Sequence, residues 1–139
     1  MSNLEHALEV AAAAHEGQFD KTGRPYVEHC RRVSEMVVTL DEKIVAWLHD
    51  VVEKGDGWSL ARLQDAGFSP TVVAAVDALT RRSGEDDLAF VRRAAANPLA
   101  RPVKKADLED NLQQAHEIAA PVERYTEGLR VLEEEFGVR

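Results

Sequence analysis

Apolar residues recur at helical spacing along almost the entire chain, and this periodicity is the strongest constraint on its fold. The first series, Leu4, Leu8 and Ala11, steps by three or four positions, as one face of an α-helix requires. No stretch shows a convincing alternation of apolar and polar residues, and the β-branched residues also follow the helical spacing. The pattern therefore predicts an all-α protein of about seven or eight helices.

Capping residues, glycines and prolines mark the helix boundaries. The predicted helices cover residues 3–17, 25–40, 41–53, 58–66, 69–81, 86–96, 99–116 and 121–137. Asp41 is the expected N-cap of the third helix, and the glycines after Lys54 are expected to end it. A chain of 139 residues can bury one continuous core, so residues 1–139 are expected to form a single domain. The last helix either completes this core or offers a dimer face, and we favour the core.

Charge and composition exclude several classes of protein. A net charge of −8 disfavours nonspecific binding to nucleic acid, although a local basic pocket for a phosphorylated small molecule stays compatible with it. No apolar run approaches the ~20 residues that span a bilayer, so no membrane association is expected. The chain has one cysteine, Cys30, and its first residues carry no basic, apolar leader. These features predict a cytoplasmic protein.

The pair His49-Asp50 is the strongest indication of chemistry. It closes the apolar run from Ile44 to Leu48, where polar groups are costly to bury unless something compensates them. Glu53 follows about one helical turn later and so lies on the same side of the helix, where it could accept a proton from a bound water. The arrangement predicts metal-assisted chemistry.

Two further segments supply the remaining candidate metal ligands. His29 lies on the core-facing stripe of the second helix, and Asp107 shares one face of a later helix with Asp110 and Asn111. Together with His49-Asp50, they provide two imidazoles and two carboxylates. This mixed set suits one divalent ion, Mn²⁺ or Zn²⁺ rather than Ca²⁺, with positions left open for water and substrate.

In this order, His29, His49-Asp50 and Asp107 resemble the H…HD…D signature of HD-domain metal-dependent phosphohydrolases. Five segments resemble, more narrowly, the hydrolase domain of RelA/SpoT proteins: residues 14–18, 21–29, 49–53, 78–80 and 104–111. Those enzymes remove pyrophosphate from the 3′ position of guanosine tetraphosphate and pentaphosphate. The resemblance covers residues 3 to about 116 and includes no synthetase-like region, so it implies a stand-alone hydrolase domain with a single HD fold.

The resemblance also implies a role for each matching residue. The metal ligands would be His29, His49, Asp50 and Asp107. Glu53 would orient or deprotonate the attacking water, Lys21 would contact phosphate, and Asn111 would lie beside the nucleotide. The implied cofactor is one divalent ion, Mn²⁺ first, with Zn²⁺ or another divalent ion as alternatives, and the implied partner is a phosphorylated nucleotide.

The chain departs from the RelA/SpoT pattern at three places. Asp20 replaces a basic residue, Lys54 replaces the second carboxylate of a Glu-Asp pair, and Leu108-Glu109-Asp110 replaces Arg-Leu-His. We expect the first and third changes to remove positive charge near the substrate. Two alternatives therefore stay open: a phosphohydrolase for another nucleotide or phosphoester, and a catalytically silent nucleotide sensor disabled at position 54.

Some charged and polar residues are expected to play no part in the site. His15 lies on an apolar helix face and is expected to be a hydrogen-bonded core residue. Arg31 and Arg32 are expected to face solvent. Trp47 and Trp58 are expected to pack in the core and not to stack on a base.

Overall fold

A computed structural model of the chain describes residues 3–138, in which all regular structure is helical. The helices are α1 (Asn3–Ala14), α2 (Tyr26–Glu35), α3 (Leu40–Leu48), α4 (Val51–Lys54), α5 (Leu60–Asp65), α6 (Pro70–Ala78), α7 (Asp87–Ala95), α8 (Ala100–Glu117) and α9 (Glu123–Phe136). The predicted all-α fold is confirmed. The helix count within the described range exceeds the prediction by one because the third predicted helix is divided into α3 and α4.

The connection between α2 and α3 differs from the prediction. Thr39, and not Asp41, is the N-cap of α3: its hydroxyl accepts from Glu42 N at 3.1 Å, and the Glu42 carboxylate accepts from Thr39 N at 3.2 Å. This capping box satisfies two backbone donors at once, which Asp41 could not do. Leu40, predicted to face the core from α2, instead opens α3 and is 60% exposed.

The break between α3 and α4 falls at His49-Asp50. Asp50 has φ −109° and ψ 3°, outside the helical region, and α4 begins at the next residue. Leu48 and Val51, on either side of the pair, are both fully buried. The apolar spacing continues across the break, so the sequence pattern reads as one helix.

Two groups of buried side chains form the interior. The first joins α1, α2, α3, α5 and α6 with the first turns of α8. The second joins α7, the rest of α8 and α9, and its buried residues include Leu108, Val131 and Leu132. The apolar face of α9 therefore packs into the interior, as favoured above. Among residues 3–138, no helix is long and apolar enough to cross a bilayer.

Candidate metal centre

Three separate parts of the fold bring the four predicted ligands together. His29 lies on α2, His49 and Asp50 lie in the break between α3 and α4, and Asp107 lies on α8. One ligand atom from each side chain can be chosen so that all four atoms lie within 4.8 Å of one another. Both imidazoles are almost fully buried, and the two carboxylates retain 13% exposure. The cluster thus sits at the bottom of a site that solvent can reach from one side.

The two histidines converge on a single carboxylate oxygen. Nε2 of His29 lies 3.0 Å from Oδ1 of Asp107, and Nε2 of His49 lies 3.3 Å from the same atom. Asp50 closes the cluster, with its Oδ2 at 3.0 Å from Nε2 of His49 and 3.8 Å from Nε2 of His29. Four donor atoms therefore face one small volume.

The other nitrogen of each imidazole is held by an acceptor outside the cluster. Nδ1 of His29 donates to Oδ2 of Asp110 at 2.6 Å, and Nδ1 of His49 donates to the carbonyl oxygen of Ala46 at 2.5 Å. A ring whose Nδ1 carries the proton presents an Nε2 lone pair to a metal. The donor set therefore fits a divalent cation.

The electrostatics of the cluster also favour a cation. Burial alone lowers the pKa of His29 and His49, but contacts with Asp107 and Asp110 raise the former and contacts with Asp50 and Asp107 raise the latter above its ordinary value. Burial raises the pKa of Asp50, yet the His49 imidazole outweighs it and holds this pKa low. The buried carboxylates thus create a strongly cation-attracting volume.

Lys104 is a site residue that the sequence did not single out. Its ammonium group lies 3.2 Å from Oδ2 of Asp107, and the side chain is only 8% exposed. The sequence allowed a solvated ion pair between Asp107 and a neighbouring lysine, whereas this pair is buried beside the ring of Phe90 at 4.1 Å. Lys104 helps to hold the pKa of Asp107 well below its usual range, against the opposing effect of burial.

A cavity of about 330 Å³ opens directly above the cluster. Asp50 and Asp107 lie in its lining, and so do the other three predicted site residues, Glu53, Lys21 and Asn111. The Nζ of Lys21 donates to Oδ1 of Asn111, whose Nδ2 donates to Oδ1 of Asp107 at 3.0 Å. The structure therefore places all seven predicted site residues in or beside one cavity.

Cationic side chains line this cavity although the whole protein is acidic. They are Lys21, Lys54, Arg81, Lys104 and Arg124. Four of them are partly balanced by acids: Lys104 by Asp107, Lys54 by Glu53 at 3.9 Å, and Arg81 and Arg124 by Asp87, at 2.8 and 3.2 Å respectively. The same cavity is also lined by five acids, Asp20, Asp50, Glu53, Asp87 and Asp107, so its cationic groups offer separate contacts for an anion within a lining of mixed charge.

The family to which this fold and site correspond is shown by comparison with known proteins. The sequence matches the family model described as the HD domain over residues 7–118. The chain belongs to the HD domain family. The residues that bear the H…HD…D signature lie inside the matched range, and membership of this family implies a divalent metal at the four-residue cluster.

The HD domain is also similar to a solved structure of a metazoan ortholog of SpoT, described as hydrolyzing ppGpp and acting in starvation responses. The two chains share 26% sequence identity, the match covers 91% of this chain and 79% of the other, and the TM-score is 0.73. No curated protein matches the sequence. Family and structural similarity confirm the RelA/SpoT-like resemblance and support a metal-dependent phosphohydrolase.

At two of the three departures from the RelA/SpoT pattern, the new carboxylate has a partner within the protein. The Asp20 side chain is fully buried and that of Asp110 is 5% exposed, although Asp20 is among the residues that line the cavity. Arg32 bridges them, with NH2 at 3.0 Å from Asp20 and Nε at 2.7 Å from Asp110. The expectation that Arg32 faces solvent is therefore wrong, because two buried carboxylates need a counter-ion. Lys54, the remaining departure, also lies at the cavity.

His15 and the tryptophans lie outside the ligand cluster. Nδ1 of His15 hydrogen-bonds Oε1 of Gln18 at 2.9 Å, while its Nε2 is buried without a hydrogen-bond partner. Burial lowers the pKa of His15, which keeps the ring neutral. Trp47 is 6% exposed, and Trp58 packs at the edge of the first core cluster. These residues are packing elements, as expected.

Proposed function

We propose that this HD domain hydrolyses a phosphorylated nucleotide, and that its substrate is the 3′-pyrophosphate of guanosine tetraphosphate or pentaphosphate. The observation that carries the proposal is the convergence of His29, His49, Asp50 and Asp107 at a cavity whose lining also includes Lys21 and other cationic side chains. The similarity to a SpoT ortholog that hydrolyzes ppGpp supports the choice of substrate.

The four clustered side chains would hold one divalent ion. Two imidazoles and two carboxylates suit Mn²⁺ first, with Zn²⁺ or another divalent ion as alternatives. When bound, the ion would lower the pKa of water and neutralise charge developing on phosphorus. The protein contributes the geometry, since both Nδ1 atoms are already hydrogen-bonded and both Nε2 atoms already face the same oxygen.

Glu53 would take a proton from the attacking water. Its side chain is 34% exposed on the cavity wall, and its Oε1 accepts from Arg81 N at 3.3 Å. Water oxygen would bond to the phosphorus attached to the 3′ oxygen as the bond between that phosphorus and the 3′ oxygen breaks. The proton would pass to the leaving 3′ oxygen, so pyrophosphate and a 3′-hydroxyl nucleotide are the products and no further reactant is needed.

Lys21 and Asn111 would bind the substrate beside the cluster. They contact each other and both line the cavity, so phosphate oxygens entering it would meet the ammonium group first. Asn111 is tied to Asp107 through its amide, which fixes the distance between substrate and ligands. This placement supports phosphate binding by Lys21 and positioning of the nucleotide by Asn111.

Metal analysis combined with a nucleotide screen tests the proposal. Purified protein is expected to hold about one divalent ion and, when loaded with Mn²⁺, to release pyrophosphate from guanosine tetraphosphate. His49→Ala is expected to lose tight metal binding and turnover, whereas His116→Ala, at an exposed position near the end of α8, should keep both. Full activity of the metal-loaded His49→Ala protein would refute the mechanism.

Lys54 favours a second candidate function, in which the protein binds a nucleotide without hydrolysing it. It is also compatible with hydrolysis of a different phosphoester. Its ammonium group lies 3.9 Å from Oε2 of Glu53, at the position where the RelA/SpoT pattern has a second carboxylate. A screen that finds hydrolysis of another nucleotide would identify the different substrate. Tight binding without product over hours, and a strong rise in hydrolysis in Lys54→Asp, would identify a silent sensor.

A further inference from the structure

We propose that Asp110 is a positioning residue of the metal centre, which fixes His29 as an Nε2 ligand, and that Arg32 and Asp20 hold Asp110 in place. The inference rests on the proposed metal site and deepens it. It assigns a use to two of the residues at which the chain departs from the RelA/SpoT pattern, and to an arginine that the sequence places on a solvent face.

Asp110 makes its hydrogen bonds on the side of His29 that faces away from the cluster. Its Oδ2 accepts from Nδ1 of His29 at 2.6 Å and from Nε2 of Gln114 at 2.7 Å, and its Oδ1 accepts from Nε of Arg32 at 2.7 Å. The residue is 4% exposed. With both oxygens occupied, the carboxylate has one orientation, and so has the imidazole that it contacts.

Arg32 links this carboxylate to the turn that carries Lys21. Its NH2 donates to Oδ2 of Asp20 at 3.0 Å, and the other oxygen of Asp20 accepts from the backbone nitrogens of Thr22 and Arg24 at 2.9 and 3.1 Å. The backbone nitrogen of Lys21 in turn donates to Oε1 of Gln114 at 3.3 Å. The metal cluster and the proposed phosphate ligand are therefore held by one buried network.

The negative charges of this network are paired with donors inside the protein. Two buried carboxylates, Asp20 and Asp110, face one guanidinium and the Nδ1–H of His29. A carboxylate on the far nitrogen of a metal-binding imidazole fixes its tautomer and increases its basicity, and loss of such a partner costs about 10- to 100-fold in metal affinity. Asp110 is not one of the four clustered ligands and reaches the cluster through its hydrogen bond to His29.

The test measures Mn²⁺ affinity by titration calorimetry on the full chain. Asp110→Asn is expected to weaken Mn²⁺ binding by about 10- to 100-fold, because an amide is a poorer acceptor for Nδ1–H. Glu109→Gln is the matched control: Glu109 precedes Asp110 on α8, is exposed, and pairs with Lys105 at 3.5 Å, so the Mn²⁺ affinity of this variant should equal that of the wild type.

A second variant separates positioning from mere stability. Arg32→Lys keeps the positive charge, but an ammonium group lacks the planar set of donors with which the guanidinium contacts both Asp20 and Asp110. Because Asp110 itself is retained, this variant should weaken Mn²⁺ binding by a smaller factor than Asp110→Asn. Nitrogen-15 NMR of the Zn²⁺-loaded wild type should show His29 in one tautomer, with its proton on Nδ1. In Asp110→Asn, His29 should no longer be confined to this tautomer.

Unchanged Mn²⁺ affinity in folded Asp110→Asn and Arg32→Lys, with only a lower unfolding temperature, would overturn the inference and leave Asp110 a structural residue. Should Asp110→Asn fail to fold, the affinity of Arg32→Lys decides alone. These readouts do not involve turnover. A protein that hydrolyses no nucleotide but loses Mn²⁺ affinity on substitution would refute the proposed reaction and support the role of Asp110.

Discussion

Tyr26, the first residue of α2, donates its hydroxyl to Oδ2 of Asp50 at 2.5 Å, across the gap to the break between α3 and α4. The same oxygen lies 3.0 Å from Nε2 of His49. Burial and the neighbouring Asp50 carboxylate raise the pKa of the Tyr26 hydroxyl, so it stays protonated and remains a donor. The Tyr26 hydroxyl therefore helps to orient the carboxylate of Asp50, a proposed metal ligand.

Tyr26→Phe should weaken Mn²⁺ binding by roughly tenfold. A buried hydrogen bond to a carboxylate contributes about 1.5–3 kcal/mol, and the bound ion would replace part of this stabilisation of Asp50 in the variant. Calorimetric titration with Mn²⁺ measures the effect. The ring should stay in place, since it packs against His15 with a centroid distance of 4.8 Å. Circular dichroism matching that of the wild type, together with an unaltered Mn²⁺ affinity, would show that Asp50 is aimed without this hydroxyl.

Local signals in the sequence are sufficient to predict most of the fold and the four side chains that the fold brings together. Helical spacing located the helices, and His29, His49, Asp50 and Asp107 stand at separations that a known family shares. The break at Asp50 was not visible, because apolar residues continue at the same spacing on both sides of it. A backbone change without a change in periodicity leaves no trace in the pattern.

The buried charge network could not be predicted for a different reason. Arg32 and Asp110 are 78 positions apart, and a lone arginine on a polar helix face is typical of a solvated residue. Only the packing of α2 against α8 shows that the arginine lies between two carboxylates. The sequence therefore gives no sign that Asp20 and Asp110 share Arg32 as a partner.

Gly55→Ala should destabilise the protein by about 1–3 kcal/mol, the usual cost of overpacking, and should lower turnover. A Cβ at this position would lie 2.5 Å from the carbonyl oxygen of Val51 and 2.8 Å from Cβ of Ala14. Relief requires α4 to move, and α4 carries Glu53. Urea unfolding and steady-state kinetics measure the two effects.

Gly128→Ala serves as the comparison for that prediction. Gly128 lies on α9, and its Cβ would meet only side-chain ends, Leu108 at 3.0 Å and Val91 at 3.4 Å. It should cost stability with little change in turnover per folded molecule. If both alanine variants lower turnover equally, the placement of α4 is not the reason for the loss at Gly55.

Glu85→Gln should lower stability by about 1 kcal/mol at pH 7, and the difference should vanish in acid. The Arg93 guanidinium binds both carboxylate oxygens, at 2.7 and 2.8 Å, and holds the pKa of Glu85 at about 2, below its ordinary 4.5. A lowered pKa stabilises the folded state above pH 4.5, and this contribution is lost as the pH falls towards about 2.

Urea denaturation of the wild type and Glu85→Gln at a series of pH values checks this prediction. Glu16→Gln, at an exposed position after α1, is the control and should track the wild type at every pH. A stability difference that is the same at pH 7 and pH 2.5 would mean that the Arg93 contact does not act through the charge of Glu85.

Phe19 is an exposed aromatic at the mouth of the cavity, and we expect it to contact the base of a bound nucleotide. Phe19 is 65% exposed. Its backbone is nevertheless held on both sides by hydrogen bonds of the adjacent turn: Asp20 N donates to Arg24 O, and Tyr26 N donates to Gln18 O, both at 2.8 Å. A base stacked on an aromatic ring gains about 1–3 kcal/mol, so Phe19→Ala should raise the KM of a nucleotide substrate roughly tenfold.

Substrates with and without a base separate stacking from a general disturbance of the site. Phe19→Ala should leave the KM and kcat of a base-free phosphoester unchanged. Such a substrate would be bound by the metal cluster and Lys21, which the substitution does not alter. Phe19→Trp should restore or lower the KM of the nucleotide, since the larger ring offers more stacking surface. An equal rise in KM for both kinds of substrate would show that Phe19 shapes the turn of Lys21 and does not read the base.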